Sequence, residues 1–177
     1  MDELDTLIFR TDRIGDFIIS CPFIKSYNKN FSRNQITLVS SEYNNNFINQ
    51  FEFISKTIPL KIKSRLIPKI IDLIKMIIYL KKKKYKHIIV LDGKKRSFFI
   101  SFFLKGEKSI LLQSKNIKLF SQFFSYIAVT NSELQSQVKN FSFLANVLGY
   151  KINNKNPNIF KNINLDKKFS LQKKFIV

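Results

Sequence analysis

The stretch Leu7-Ile8-Phe9-Arg10-Thr11-Asp12-Arg13-Ile14-Gly15-Asp16-Phe17-Ile18 runs from an apolar segment through a short polar loop to Gly15-Asp16, which heads a second apolar segment. Read as strand, loop and helix, it puts Asp16 at the helix start, where the positive end of the dipole favours an ionised carboxylate. An ionised carboxylate facing a crevice can take a proton from a substrate hydroxyl. Gly15 lets backbone come close to a ligand, and Arg13 stands beside it. Two roles are open to Asp16: a general base, or the helix cap that Asp often provides. The loop has one glycine where the dinucleotide fingerprint needs three, which excludes that motif.

A second site-like segment is Ile88-Ile89-Val90-Leu91-Asp92-Gly93-Lys94-Lys95-Arg96-Ser97, again an apolar run, a glycine turn and a helix. Backbone N–H groups at that helix start, joined by Lys94, Lys95 or Arg96, suit an anion. A charged turn with its side chains reaching into water has the same composition. The third segment is Lys61-Ile62-Lys63-Ser64-Arg65, a basic loop that is equally open to plain solvation. In a parallel sheet the loops following strands share the carboxyl edge, where ligands bind. Convergence there predicts one carboxylate, Asp16, among several cations.

The elements that must position these loops follow from the apolar pattern. Short apolar runs alternate with longer amphipathic stretches, as in a parallel sheet with crossover helices. Strands are expected at Thr6–Arg10, Gln35–Val39, Lys56–Leu60, His87–Leu91 and Ser109–Leu112, with helices near Asp16–Lys29, Asn44–Phe51, Ile67–Lys83 and Arg96–Phe103. Two more helices are expected near Lys118–Tyr126 and Ser132–Leu148, the last closed by Gly149 at the position after its cap. In the Ile67–Lys83 segment the polar residues Lys69, Asp72, Lys75 and Tyr79 form one narrow stripe, which predicts a helix mostly buried. From Lys151 to Lys168 the chain turns polar and reads as a linker. Lys173-Lys174-Phe175-Ile176-Val177 then reads as the opening of another strand.

The 177 residues suit one domain, and 45% hydrophobic with 24% charged residues is an ordinary globular balance. Thirty-one Lys and Arg against twelve Asp and Glu leave a net charge of +19, which attracts polyanions: nucleic acid, an anionic membrane face or a phosphorylated substrate. The wealth of Lys, Asn, Ile and Phe also follows from A-plus-T-rich coding, so part of that charge is open to a neutral origin. A single cysteine, Cys21, forms no internal disulfide, and with one histidine, His87, neither the usual His- and Cys-based metal sites nor Ser-His-Asp catalysis is expected. A reducing cytoplasm is the natural compartment. The acidic opening Met1-Asp2-Glu3-Leu4-Asp5 is not the basic start of a signal peptide, and the apolar Leu66–Leu80 stretch is interrupted and too short to cross a bilayer.

The opening motif, followed by Pro22 in a helix, resembles the start of the ADP-heptose:lipopolysaccharide heptosyltransferases, glycosyltransferase family 9. The resemblance continues through Ile36-Thr37-Leu38-Val39, Ile58-Pro59-Leu60 with its basic loop, Gly93-Lys94-Lys95-Arg96-Ser97 and Val147-Leu148-Gly149. One departure is visible: where many members carry an aspartate three residues before the glycine of the second motif, this chain has Val90, and Asp92 directly precedes Gly93.

The resemblance implies an α/β fold, a Rossmann-like parallel sheet flanked by helices, as the N-terminal half of a GT-B glycosyltransferase. Residues 1–150 would be the acceptor-binding domain, and 151–177 a linker and the start of a C-terminal donor-binding domain. Asp16 falls on the family's catalytic base. Arg13, Gly15, Lys61, Lys63, Arg65, Gly93, Lys94 and Arg96 become acceptor-binding candidates. No metal or cofactor is implied, only a nucleotide-sugar co-substrate such as ADP-heptose, bound by the second domain. The implied partner is an anionic glycolipid of lipopolysaccharide biosynthesis, met at the inner face of the cytoplasmic membrane. This half alone is expected to be inactive. The rival readings are a basic nucleic-acid-binding module and a non-catalytic glycolipid-binding module. The phenylalanine pairs Phe98-Phe99, Phe102-Phe103 and Phe123-Phe124 read as core rather than as stacking platforms, which counts against nucleic acid.

Overall fold

A computed structural model describes residues 5–31, 35–61, 66–111 and 137–152. Five strands, β1 (Asp5–Arg10), β2 (Ile36–Ser41), β3 (Lys56–Leu60), β4 (Tyr85–Val90) and β5 (Gly106–Leu111), form one sheet in the order β3-β2-β1-β4-β5. Every pairing is parallel, with Ile8 of β1 opposite Leu38 on one side and Ile89 on the other. The helices are α1 (Ile14–Asn30), α2 (Asn45–Ile48), α3 (Leu66–Leu80), α4 (Lys95–Phe102) and α5 (Gln137–Val147). This is the Rossmann-like architecture: parallel strands joined by crossover helices that cover both faces.

Side chains that alternate along the strands separate two cores. Ile8, Ile36, Leu38 and Ile89 pack with Phe17, Cys21 and Ile24 of α1 and with Phe141 and Leu144 of α5. Leu7, Phe9, Val39, Ile88 and Val90 point the other way, toward Ile77 and Leu80 of α3 and Phe98 of α4. Period-two alternation with both faces buried gives the near-continuous apolar runs seen in the sequence. Pro59 lacks a ladder donor, and it sits in β3, an edge strand of the sheet, where none is needed on its outer side. At the end of α5, Gly149 takes a positive φ of 85°, its N–H reaching the Asn146 carbonyl at 3.0 Å while Tyr150 N–H reaches that of Ala145 at 2.9 Å. That is the glycine-closed helix end the sequence indicates.

Three expectations are corrected. The helix expected over Asn44–Phe51 is only the single turn of α2, preceded by a 3₁₀ turn at Glu42–Asn44. Four asparagines within that stretch favour local turns over helix. The helix expected to be mostly buried, α3, turns Ile70, Ile71, Ile74 and Ile78 outward, because its inner side alone suffices to cover the sheet. Of the phenylalanines expected in the core, Phe98 is buried, whereas Phe99, Phe102 and Phe103 of α4 and its end are exposed. The helix expected near Lys118–Tyr126, the pair Phe123-Phe124 and the strand opening at Lys173–Val177 lie outside the described residues.

Candidate active site at the strand-order reversal

β1 and β4 are neighbours in the sheet but far apart in sequence, with β2 and β3 on one side of them and β5 on the other. The chain's direction of winding reverses between them, the point at the carboxyl edge where open α/β sheets form a ligand crevice. Both glycine-containing motifs open there.

Arg10, the last residue of β1, organises the crevice. Its side chain is only 2% exposed. Nη1 donates to the Leu91 carbonyl at 2.8 Å and lies 3.2 Å from Asp12 Oδ2. Nε and Nη2 both donate to the backbone carbonyl of Asp16, and Nη2 also reaches Gln137 Oε1 at 3.2 Å. The guanidinium carbon stands 5.7 Å from the centre of the Phe141 ring. One guanidinium therefore ties β1, the turn after β4, the first turn of α1 and the start of α5. Burial pulls the Arg10 pKa below its ordinary value, while Asp12, Asp16 and Asp92 draw it back up. A buried arginine is tolerated only where its donors are met, and the carbonyls and carboxylate above do so.

Asp16 is half-buried in the first turn of α1. Arg10 grips its backbone, not its carboxylate, and no described residue hydrogen-bonds the carboxylate. The capping alternative finds no such bond: the residue in the N-cap position is Arg13, extended at φ −75° and ψ 160°, with no side-chain cap. Gly15 is exposed, and a Cβ placed on it would meet nothing within 4 Å. Neither strain nor crowding demands a glycine there; what it leaves is open approach beside Asp16.

The second loop is clasped by Asp92. Its Oδ2 accepts from Thr11 N–H at 3.2 Å, from the Thr11 hydroxyl and from Ser97 Oγ at 2.6 Å, while Oδ1 accepts Lys94 N–H at 3.1 Å. Gly93, at φ 58°, supplies the left-handed turn that lets the carboxylate fold back. Lys94 Nζ and Arg96 Nη2 both donate to the Thr11 carbonyl, at 3.0 and 3.3 Å, so these cations bridge the two loops. Burial, and then Arg96, hold the Lys94 pKa below its usual value. Asp12 is pushed the other way, above the ordinary carboxylate range, by burial working against Arg10. Asn44 donates to the Asp12 backbone carbonyl at 2.6 Å. Among the described residues, Asp12 Oδ1 and Arg96 Nε, together with Asn140 Oδ1 on α5, are buried without a partner.

The crevice thus gathers Arg13, Gly15, Asp16, Gly93, Lys94 and Arg96 from the sequence-derived candidates. It differs from one carboxylate among cations: Asp12, through Oδ2, and Asp92 stand there too with internal partners, while among the described residues no hydrogen bond reaches the Asp16 carboxylate. Lys61 is not drawn in. It is exposed and ion-paired with Glu42 at 3.0 Å, on the loop after the edge strand β3. Lys63 and Arg65 lie outside the described residues. Sequence reasoning missed Arg10, Asp12, Asp92, Asn44 and Gln137 as a network. The one available signal was Arg10 itself, a charge placed against Leu7-Ile8-Phe9, where burial is costly unless every donor is used. No group of three or more His, Cys, Asp and Glu among the described residues is arranged to hold a metal ion.

No protein-family model matches the sequence, and no curated protein matches it. Solved structures do. The chain is similar to the E. coli heptosyltransferase WaaC with ADP-2-deoxy-2-fluoro heptose, at TM-score 0.70 and 18% identity, covering 86% of this chain and 51% of that one. It is similar to the glycosyl transferase family 9 structure from Veillonella parvula, at TM-score 0.74 and 17% identity, over 90% of this chain and 45% of that one. It is also similar to the E. coli ADP-heptose lps heptosyltransferase II, at TM-score 0.59 and 14% identity, over 73% and 36% respectively. The chain spans about half the length, or less, of the structures it matches. Over the matched part the chain shares the α/β fold of these structures, a parallel sheet flanked by helices.

Proposed function

We propose that the chain is the acceptor-binding half of an inverting, metal-independent sugar transferase of the heptosyltransferase kind, and that Asp16 is its catalytic base. The observation that carries this is the state of Asp16. Its backbone is clamped by Arg10 at the strand-order reversal, while no hydrogen bond from a described residue engages its carboxylate, which lies beside the open approach over Gly15.

In this reading an acceptor sugar enters the crevice with a hydroxyl against Asp16. The carboxylate takes the hydroxyl proton as the oxygen attacks the anomeric carbon of the donor. The bond to the nucleoside diphosphate breaks on the opposite face, and the configuration inverts. WaaC has been solved with ADP and with an ADP-linked fluoro-heptose, which favours an ADP-sugar as donor. Charge stabilisation of the departing diphosphate, usually the largest catalytic contribution, falls to a second domain in this reading, so this half alone is inactive. Lys94 and Arg96, held against the first loop, with Arg13 exposed at the start of α1, supply positive charge that suits a phosphorylated or acidic acceptor. An acceptor of that kind carried on a lipid would be met at the cytoplasmic face of the inner membrane.

The test joins the chain to a donor-binding half and follows sugar transfer from ADP-heptose to a phosphorylated lipid acceptor by mass spectrometry. Asp16→Asn should keep the unfolding midpoint and acceptor binding while lowering turnover by roughly a hundredfold to ten-thousandfold, the usual worth of a positioned base. Near-normal turnover with Asn at this position would reduce Asp16 to a helix-start acid and remove the enzymatic reading.

A further inference from the structure

Helix α3 carries apolar residues on its outward side as well as on the side that covers the sheet. Ile77 and Leu80 are buried, and Leu73 and Met76 pack against the core beneath them. On the outward side Ile70, Ile71, Ile74 and Ile78 are 50%, 46%, 48% and 58% exposed. Their spacing of one, three and four residues puts all four in a single stripe along the helix. Asp72, the only acid of α3, shares the polar side of the helix with Lys75 and Tyr79 and is half-buried. Phe99 and Phe103, on α4 and at its end, are also exposed and in edge-to-face contact at 5.0 Å, and α4 packs beside α3 in the same layer.

The rim of this surface is basic. Lys75 flanks the stripe, and Lys81, Lys82 and Lys84 follow the helix, all exposed. Tyr79, on the polar side of the helix, has its hydroxyl 3.0 Å from Lys56 Nζ. A stripe of branched aliphatics bordered by lysines and a tyrosine has the composition of a helix that lies in a lipid interface. At 15 residues α3 is about 22 Å long, short of the ~30 Å hydrocarbon core, and no described helix is long and apolar enough to cross a membrane.

We infer that the outward face of α3, with Phe99 and Phe103 beside it, docks the protein onto an anionic lipid surface, with the isoleucines entering the headgroup boundary and the lysines meeting lipid phosphates. The inference supplies the contact surface for the membrane location in the function proposed above, and rests on that reading only for its biological setting. The +19 net charge selects an anionic bilayer over an apolar protein partner, because lipid phosphates would neutralise the lysine rim.

The test is sedimentation of the 177-residue chain with vesicles of phosphatidylcholine, with and without phosphatidylglycerol. The unmodified chain should bind the anionic vesicles, and Ile74→Glu with Ile78→Glu should weaken that binding by about tenfold or more. Ile74→Ser with Ile78→Ser should weaken it in the same direction without any change of charge. Val138→Glu with Phe143→Glu, exposed on α5 in the opposite layer, carries the same charge change and should stay within about twofold of the unmodified chain. Circular dichroism and urea melts establish that each variant is folded. Absence of vesicle binding by the unmodified chain, or equal losses in the α3 and α5 glutamate variants, overturns the inference. So does light scattering that shows a dimer dissociated by the α3 changes. No sugar is present in this assay, so its failure leaves the transferase reading to the turnover of Asp16→Asn.

Discussion

Replacing Arg10 with methionine tests whether one guanidinium holds the crevice together. The methionine stem fills much of the same space, so the change removes donors rather than volume. Four acceptors lose their partner: the carbonyls of Leu91 and Asp16, the Gln137 amide oxygen and the Asp12 carboxylate. Removing one side of a buried ion pair leaves an uncompensated charge and costs about 3–5 kcal/mol. Against the 5–15 kcal/mol typical of a whole domain, that is a large fraction of the stability. The cost should also depend on pH, with a definite sign. Burial already holds the Asp12 pKa above the ordinary carboxylate range, and Arg10 is the main influence pulling it down. A carboxyl whose folded pKa is raised destabilises the fold as pH climbs from its unfolded value through its folded one. Losing Arg10 raises that folded value further and widens the window. Relative to the unmodified chain, the deficit of Arg10→Met should therefore grow as pH climbs past the raised Asp12 value of the unmodified chain toward the still higher value of the variant. Urea melts across that range, with the slope against denaturant unchanged, measure it. A loss below about 1 kcal/mol at neutral pH, or one that does not vary with pH, would refute the clamp, since a surface arginine behaves that way.

Gly15→Ala separates folding from site chemistry. With nothing within 4 Å of the new methyl group and no positive φ at the position, the folded chain should gain about 0.4–1 kcal/mol from a stiffer unfolded state. The same methyl group narrows the approach to Asp16, so acceptor affinity in calorimetry should fall; unchanged affinity would place the acceptor elsewhere. Cys21 is fully buried, and burial pushes its thiol pKa up to about 12. It should resist a thiol-reactive dye at pH 8 in the folded chain and react once urea unfolds it, whereas prompt labelling of the native chain would show that the α1 core opens.

The sheet was legible because its strands are buried on both faces. Leu7-Ile8-Phe9 and Ile88-Ile89-Val90 have no amphipathic alternative, and β3 falls on the expected residues Lys56–Leu60. Gly149 was legible because a helix end needs a left-handed residue and glycine supplies it at least cost. The exposed side of α3 was not. A helix apolar nearly all round reads as buried, and only the packing of the other elements decides which of its faces is left uncovered. The short α2 was missed for a related reason: apolar spacing marks the side that packs but not how many turns the chain will wind.

The network behind Asp16 was hidden for a different reason: its bonds run between segments distant in sequence. Arg10 meets Leu91 and Gln137, and Thr11 meets Asp92 and Arg96, none of which a local pattern relates. For the proposed role of Asp16 as base, the choice of partners is decisive. A proton acceptor must keep its lone pairs available, and a carboxylate engaged by a guanidinium does not. With a buried arginine reaching its own backbone, Asp16 stood to lose that availability. Instead Asp12 provides the ion pair and the Asp16 carbonyl takes the hydrogen bonds, so the same arginine fixes the position of Asp16 without hydrogen-bonding its carboxylate. A double change tests that division of labour: adding Asp12→Asn to Arg10→Met should recover part of the lost stability, because it removes the unpaired charge. If instead the two losses simply add, Asp12 is not the counter-charge that leaves the Asp16 carboxylate free.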